Sequence, residues 1–322
     1  MNTLAARQRE ALRRLGSMAA AQVPLAQYTT YKLGGSAAVF VAPRNDDDLC
    51  VLAEVARDTD LPTLVIGRGS NLLIADGGFA GITITLSEMA EWVRFEAEGV
   101  AVCAAMALPV LARRCVSAGL VGFEWAVGVP GAVGGAVRMN AGGHGSDMAA
   151  SVIGVHLLDL RTTRRGWVDA SDLGLRFRGS RIGDHQVVLD ARLRLRKGDA
   201  VAAEKELAEI VRWRRDHQPG GQNAGSVFVN PIPGELAAAE LIDKLGLRGF
   251  RIGGAVVSEK HANFIQAEHT CSAADVRAVM EHVRAEVESK LGIVLRSEVR
   301  LVGFEDTEAA TGMSAEDAEL TI

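Results

Sequence analysis

Two glycine-dense segments carry the first chemical signal in this sequence. The run Ile66-Gly67-Arg68-Gly69-Ser70-Asn71 places a Gly-x-Gly turn directly after an apolar stretch. A Rossmann dinucleotide fingerprint would need a third glycine and then a long helix. Leu72 stands at the third position, and Asp76-Gly77-Gly78 turns the chain soon afterwards. A Rossmann dinucleotide site is therefore disfavoured. The backbone N–H groups of residues 69–71 can still form an anion-binding nest for a pyrophosphate. An ordinary glycine-rich β-turn is the alternative.

The second segment, residues 128–143, repeats glycine and alanine from Gly128 to Gly143. Backbone without side chains lets a flat or extended ligand approach closely. Close packing of two secondary-structure elements through glycine is the alternative. Because two such blocks fall in one half of the chain, the pattern favours a large ligand.

Three polar side chains outside these blocks could take part in chemistry. Arg178 lies in the turn Arg176-Phe177-Arg178-Gly179-Ser180, Ser226 follows Gly225, and Glu298 lies in an alternating run at residues 295–302. Each also has a purely structural interpretation. Arg178 could be a solvated loop charge, Ser226 a structural serine, and Glu298 part of a row of alternating surface charges. No Ser-His-Asp set or Gly-x-Ser-x-Gly elbow accompanies Ser226, so an acyl-enzyme nucleophile is disfavoured.

Metal and disulfide chemistry are also disfavoured. The seven histidines form no HExxH motif, and the four cysteines are far apart without a CxxC pair. This spacing is typical of reduced, mostly buried thiols in a cytosolic protein. We therefore expect no metal site.

The helices and strands that must position these residues fall into two regions of the chain, before and after residue 197. Periodicity predicts strands at residues 37–41, 61–66, 81–86 and 100–104, and helices at 46–57 and 109–118. Strands of one antiparallel sheet follow at 152–160, 164–169 and 186–196. After a change in composition at residue 197, a charged amphipathic helix spans 201–217. Further helices are predicted at 235–245 and 272–291, the second with a Ser272/Asp275 capping box, and strands at 262–266 and 293–302.

Composition bounds the class of protein. The chain has 322 residues, a formal net charge of −5 and 48% hydrophobic residues, which indicate a globular protein of two or three domains. The acidic balance argues against nucleic acid or anionic membrane as a partner. The first twenty residues do not resemble a signal peptide, so we expect a soluble cytoplasmic protein. Residues 305–322 hold six acidic and no basic residues and are predicted to be a disordered tail.

Taken in order, eight sequence blocks resemble those of UDP-N-acetylenolpyruvoylglucosamine reductases. The blocks span roughly residues 28–304 and are Thr30-Tyr31-Lys32-Leu33-Gly34-Gly35, the 67–73 turn, the 130–143 stretch, Arg178-x-Ser180, Gly225-Ser226-x-Phe228-x-Asn230-Pro231, Gly253-Gly254-Ala255, Ser258-x-Lys260-His261-Ala262-Asn263-Phe264 and Glu298-Val299-Arg300.

The resemblance implies an α+β fold in which a two-subdomain FAD-binding domain of the vanillyl-alcohol-oxidase type precedes a smaller α+β substrate-binding domain. The expected limits are 1–86 and 87–197 for the subdomains, 198–304 for the substrate domain and 305–322 for the tail. FAD is expected to bind non-covalently, NADPH to act as co-substrate, and the protein to be a monomer.

The resemblance also assigns roles to residues. It implies a catalytic set of Arg178, Ser226 and Glu298, with Ser226 as the proton donor. The implied FAD contacts are Gly67, Arg68, Gly69, Ser70, Asn71, Leu72, Pro130, Gly131, Gly134, Gly135 and Asn140. The implied substrate contacts are Asn230, Lys260 and Asn263.

The implied reaction is reduction of the enolpyruvyl ether of UDP-N-acetylglucosamine-enolpyruvate by NADPH through FAD, in peptidoglycan precursor synthesis. Two alternatives stay open. One is another flavin oxidoreductase, in which His144 would be the candidate for covalent attachment. The other is a catalytically silent protein that binds a nucleotide sugar.

The chain departs from the family pattern at two positions. Val229 stands where the family often has a lysine, and Phe177 stands where it often has a tyrosine. Valine cannot bind a phosphate, so Lys260 or an arginine of residues 212–215 is expected to contact the UDP pyrophosphate instead.

Overall fold

The computed structural model describes residues 3–96, 99–304 and 320. Its α-helices are α1 (Leu4–Leu15), α2 (Asp46–Thr59), α3 (Leu108–Ser117), α4 (Val133–Arg138), α5 (Ala200–His217), α6 (Ala238–Lys244) and α7 (Ala273–Leu291). Its strands are β1 (Ala19–Pro24), β2 (Ser36–Val41), β3 (Thr63–Val65), β4 (Leu72–Ile74), β5 (Phe79–Ile84), β6 (Val93–Glu96), β7 (Gly99–Cys103), β8 (Leu120–Val121), β9 (Gly142–Gly143), β10 (Ser146–Asp147), β11 (Val152–Asp159), β12 (Arg165–Asp169), β13 (Gln186–Arg194), β14 (Arg196–Lys197), β15 (Arg251–Ile252), β16 (Ala255–Val257), β17 (Ile265–Ala267) and β18 (Arg300–Val302).

The first layer is a four-stranded mixed sheet in the order β1-β2-β5-β3. β1 pairs antiparallel with β2, whereas β2 and β3 both pair parallel with β5. Helices α1 and α2 cover the sheet with an apolar core that includes Leu15, Leu52 and Val55. The predicted helix at residues 46–57 is confirmed as α2, which begins where the Asn45 side chain accepts a hydrogen bond from Asp48 N.

The second layer is a five-stranded antiparallel sheet in the order β12-β11-β13-β7-β6. The predicted antiparallel sheet of residues 152–196 is thereby confirmed. Helices α3 and α4 pack against it, and α5 joins the same core through Ala203, Leu207 and Ile210. Helix α5 falls within the predicted substrate domain, residues 198–304, yet its apolar face is buried in the core of the second subdomain. The domain limits themselves stay a prediction.

The third layer contains the antiparallel sheet β15-β16-β17 with α6 and α7. The predicted capping box begins α7: Ser272 Oγ accepts from Asp275 N at 3.0 Å and Asp275 Oδ2 accepts from Ser272 N at 3.0 Å. The helix ends at Gly292, whose φ of +69° suits glycine. The predicted start of α6 at residue 235 and of β17 at residue 262 are each three residues too early, because residues 232–236 and 261–264 form turns.

The predicted strand at residues 293–302 is wrong over most of its length, since only Arg300–Val302 is a strand. The segment divides its backbone hydrogen bonds between two neighbours. Glu298 N donates to Val227 O at 2.8 Å, whereas β18 pairs parallel with β4 and joins the third layer to the glycine turn before β4. This division brings residues of the first and third layers to one place.

Two further features bear on the predictions. No helix within the described ranges is both long and apolar enough to cross a membrane. The predicted acidic tail, residues 305–322, lies outside the described residues except for Leu320.

Candidate active site

One cleft of about 490 Å³ lies between the three layers, a size within the range of small-molecule sites. Both glycine blocks and all three predicted catalytic side chains line it. The lining includes Gly67, Arg68, Gly69, Ser70, Asn71, Leu72, Pro130, Gly131, Gly135, Arg178, Ser226 and Glu298. The structure therefore brings together residues more than two hundred positions apart in sequence.

The two glycine turns contact each other at the cleft. Ser70 Oγ donates a hydrogen bond to Pro130 O at 2.9 Å. Gly69 has φ +58°, and a Cβ there would lie 2.0 Å from Tyr28 O, so no other residue fits this turn. A Cβ on Gly135 would meet no atom within 4 Å. Bare backbone thus faces the cleft from two sides.

Two of the predicted cofactor residues lie behind this lining. A Cβ on Gly134 would lie 3.0 Å from Ala104 Cβ, so this glycine allows α4 to pack closely on the second sheet. Asn140 is buried and donates from Nδ2 to Arg176 O at 3.0 Å. It therefore holds the turn that carries Arg178. As FAD contacts, both residues stay predictions.

Arg178 lies in a tight turn closed by hydrogen bonds between Arg176 and Gly179. Its φ is +60°, a conformation that costs energy for a residue with a side chain. The guanidinium donates from Nη2 to Gly142 O at 3.1 Å. The turn therefore directs the guanidinium across the second glycine block into the cleft.

Ser226 lies on a short extended segment that is fixed from one side by Asn263. The Asn263 side chain accepts from Phe228 N at 2.9 Å and donates to Phe228 O at 2.8 Å. Gly225, immediately before the serine, has φ +78°. The sharp turn and the amide clamp together place Ser226 in the cleft wall.

Glu298 forms an ion pair with Arg178, with Oε1 2.7 Å from Nε. The Nε–H of Arg178 is buried without a well-aligned acceptor, so the contact is an ion pair rather than a good hydrogen bond. Burial raises the pKa of Glu298 above its usual value, and Arg178 only partly opposes this shift. The first glycine turn holds the same residue through Asn71 Nδ2, which donates to Glu298 O at 2.9 Å.

The raised pKa of Glu298 predicts a pH dependence of stability. A carboxyl group whose pKa is raised on folding contributes stability at low pH that is lost as pH rises through the folded-state pKa. The amide side chain of Glu298→Gln cannot ionise. The difference in thermal midpoint between the variant and wild type should therefore increase in favour of the variant as pH rises above 4.5, the ordinary pKa of a glutamate. Thermal unfolding across that pH range measures the difference, and parallel curves for the two proteins would contradict the shift.

The cleft is cationic although the chain is acidic overall. Among the described residues, Glu298 is the one carboxylate in the lining, whereas five arginines line it: Arg68, Arg138, Arg178, Arg214 and Arg300. Burial lowers the pKa of Arg214. Such a concentration of guanidinium groups suits ligands that carry phosphates and carboxylates.

Sequence reasoning missed several lining residues. Gln218, Trp213, Arg138 and Met139 line the cleft. Gln218 Oε1 is buried and has no hydrogen-bond partner among the described residues, which leaves an acceptor free for a ligand. The Gln218-Pro219 pair was visible in the sequence, but nothing local showed that it faces the glycine blocks.

The three predicted substrate contacts lie outside the lining. Lys260 Nζ donates to Arg215 O at 2.5 Å, and Asn230 Oδ1 accepts from Ala238 N at 3.1 Å. Asn263 is the clamp on the serine segment described above. Each of the three makes a bond within the protein, and as substrate contacts they stay predictions.

Comparison with known proteins agrees with this arrangement. Residues 37–164 match the family model "FAD binding domain", and residues 217–302 match "UDP-N-acetylenolpyruvoylglucosamine reductase, C-terminal domain". These matches confirm the predicted fold class of a two-subdomain FAD-binding domain followed by a smaller α+β domain.

Similar whole proteins carry the same name. The UDP-N-acetylenolpyruvoylglucosamine reductase of Heliobacterium modesticaldum is 42% identical over 88% of this chain and 90% of its own length. That of Bacillus subtilis is 37% identical over 88% and 93%. The crystal structure of the Thermus caldophilus enzyme superposes with a TM-score of 0.74 and 31% identity, over 88% of this chain and 98% of its own. From the matched domains and this extent of similarity, the chain belongs to the UDP-N-acetylenolpyruvoylglucosamine reductase family.

Proposed function

We propose that this protein reduces the enolpyruvyl ether of UDP-N-acetylglucosamine-enolpyruvate to UDP-N-acetylmuramate, with NADPH and FAD, in peptidoglycan precursor synthesis. Membership of the family supports the activity. The observation that supports the residue assignment is the meeting of Arg178, Ser226 and Glu298 in the cleft that both glycine turns line.

The cleft fits FAD by three features. Glycine backbone is bare on two sides, guanidinium groups are present for the diphosphate, and Gln218 offers an unpaired acceptor. Residues 67–71 would hold the cofactor through backbone N–H groups, and Gly131 and Gly135 would let it approach the second glycine block closely. When bound, FAD would supply the hydride-transfer chemistry between NADPH and the terminal carbon of the enolpyruvyl alkene.

Arg178 would bind the carboxylate of the enolpyruvyl group. Addition of a hydride to the terminal carbon places negative charge on that carboxylate as an enolate. A guanidinium held in position stabilises this charge where it develops. The Gly142 contact and the strained turn supply that fixed position.

Ser226 would donate a proton to the carbon next to the carboxylate. An alcohol is a weak acid, but the enolate is a strong base, so the hydroxyl needs no prior activation. The Asn263 clamp and the backbone bond from Glu298 N to Val227 O hold the serine beside the other two groups.

Glu298 would orient the enolate or the proton relay. Its raised pKa favours the protonated form more than in an exposed glutamate, and a protonated carboxyl group can donate a hydrogen bond. The ion pair with Arg178 favours the charged form. Binding of a substrate carboxylate to Arg178 would compete for that pairing and so favour protonation further.

The cationic lining supports a binding role for Arg214 with the anionic ligands. Val229, at the position of the usual family lysine, is buried, and Lys260 is bonded to a helix carbonyl. Among residues 212–215, Trp213 and Arg214 line the cleft. We therefore propose that Arg214, which is one of the arginines of residues 212–215 expected as alternatives to Lys260, contacts the UDP pyrophosphate.

We expect the FAD to be bound without a covalent bond. His144 lines the cleft, which keeps histidine attachment geometrically open as an alternative. Precipitation of the protein by acid or heat should leave essentially all yellow chromophore in the supernatant. Flavin that stays with the pellet in wild type and is released from His144→Ala would instead show attachment through that histidine.

We expect NADPH and the UDP-sugar to use the one cleft in turn, because the described residues place both glycine turns and the catalytic set around a single volume. Initial rates should give parallel double-reciprocal lines, with inhibition by high concentrations of either substrate. Intersecting lines, or a ternary complex of enzyme, NADPH and UDP-sugar, would contradict shared occupancy.

We further propose that the protein is a cytoplasmic monomer that binds no nucleic acid.

A further inference from the structure

Leu320 lies in the core of the second subdomain. Leu320 is only 6% exposed and packs in the same apolar cluster as Leu173 and Ile182. Its N–H donates to Arg181 O at 3.4 Å, and its carbonyl oxygen accepts from Gln186 Nε2 at 2.7 Å. Leu320 therefore has a defined binding position on the loop of residues 181–186.

The same loop carries the residue that joins two cleft arginines. Asp184 Oδ1 accepts from Arg300 Nη2 at 2.6 Å and also from Arg138 Nη2. Both arginines line the cleft. Arg138 ends α4 of the second subdomain, and Arg300 begins β18 of the third layer. One carboxylate thus sets the relative positions of two cations from different parts of the fold.

Gln186 connects the two sides of this loop. Its Nε2 contacts Leu320, while its Oε1 accepts from Gly183 N at 3.0 Å, next to Asp184. Burial acts to raise the pKa of Asp184, but Arg300 and Arg138 outweigh it and hold the pKa below the usual value. Asp184 is therefore ionised at neutral pH and pairs with both guanidinium groups.

We propose that Leu320 is an intramolecular anchor that acts on the cofactor cleft. Leu320, seated on the 181–186 loop, fixes Gln186 and Asp184 and so positions Arg138 and Arg300. The match to the C-terminal domain ends at residue 302, so Leu320 lies outside the matched domains. The proposal rests on the proposed function only in taking FAD as the ligand of the cleft.

The test uses purified holoenzyme with two disrupting variants and two matched controls. Leu320→Asp places a charge in the apolar cluster around this position, and a chain ending at Phe304 removes residues 305–322. Leu320→Met keeps an apolar side chain of similar volume, and Val201→Asp introduces the same charge at a residue that is 80% exposed. Amide hydrogen exchange of residues 181–186 and tryptic cleavage after Arg181 report on the loop.

Both disrupting variants should exchange at the loop on the order of tenfold faster or more, the scale set by losing a buried leucine. Both should also lose FAD several-fold faster on dilution, because the two arginines are no longer held. The controls should match wild type. Asp184→Asn should speed loss of FAD without exposing Arg181 to trypsin, which separates positioning from a general loss of structure.

Unchanged exchange and proteolysis in the truncated chain would overturn the anchor. Faster exchange with wild-type retention of FAD would overturn its positioning role. Either result would leave the reductase activity intact, so failure of this proposal is distinguishable from failure of the proposed function.

Discussion

Ser226→Ala should slow transfer of reducing equivalents to the enolpyruvyl substrate by on the order of a hundredfold or more, the usual scale for losing a positioned general acid. Reduction of the flavin by NADPH should proceed at the wild-type rate, because that half-reaction takes no proton from the serine. The substitution removes only a hydroxyl group from a segment held by Asn263. Folding and flavin content should therefore be nearly unchanged. Anaerobic stopped-flow absorbance separates the two half-reactions.

Matched variants sharpen this test. Ser226→Cys should recover part of the rate, because a thiol can also donate a proton. Ser289→Ala removes a serine hydroxyl that donates to Glu286 O at an exposed position of α7 and should behave as wild type. A slower reduction by NADPH in Ser226→Ala, or an unchanged second half-reaction, would show that Ser226 is not the proton donor.

Arg178→Gly should lower the rate of the second half-reaction by about a hundredfold to a thousandfold, the range found on removing one donor from a site that stabilises an oxyanion. Glycine suits the φ of +60° at this position, so the backbone of the turn should persist. Arg178→Lys keeps the charge but loses the planar guanidinium geometry, and should recover only part of the rate. Single-turnover rates and the KM for the UDP-sugar measure both effects.

The control for this prediction is Thr163→Gly. Thr163 also has a left-handed conformation, with φ +61°, but it does not belong to the cleft lining. The Thr163→Gly substitution should change stability slightly and leave the single-turnover rate and the KM for the UDP-sugar unchanged. A normal rate in Arg178→Gly would contradict the assignment, whereas recovery of the Arg178→Gly rate by added guanidinium would support it.

Local sequence patterns predicted much of the scaffold. Hydrophobic periodicity identified α2 and the antiparallel sheet, and Ser272 with Asp275 correctly predicted the start of α7. These features depend on residues close together in the chain. The 293–302 segment was mispredicted because its backbone pairs with two distant neighbours, which alternation of side chains alone does not reveal.

In the site, too, features set by local sequence were predictable and features set by distant contacts were not. The glycine turns were recognisable because a requirement for bare backbone leaves a mark in the sequence. The Arg138–Asp184–Arg300 cluster left no such mark, because its contacts span 46 and 116 residues. The assignment of Arg178, Ser226 and Glu298 came from the family resemblance, since each residue alone is more often structural. The structure adds the ion pair and the shared cleft, neither of which spacing could predict.

Anaerobic titration of the purified holoenzyme tests the central proposal most directly. One equivalent of NADPH should bleach the flavin absorbance, and subsequent addition of UDP-N-acetylglucosamine-enolpyruvate should restore it with formation of one equivalent of UDP-N-acetylmuramate. A flavin that NADPH does not reduce, or a reduced flavin that the enolpyruvyl substrate does not reoxidise, would contradict the account.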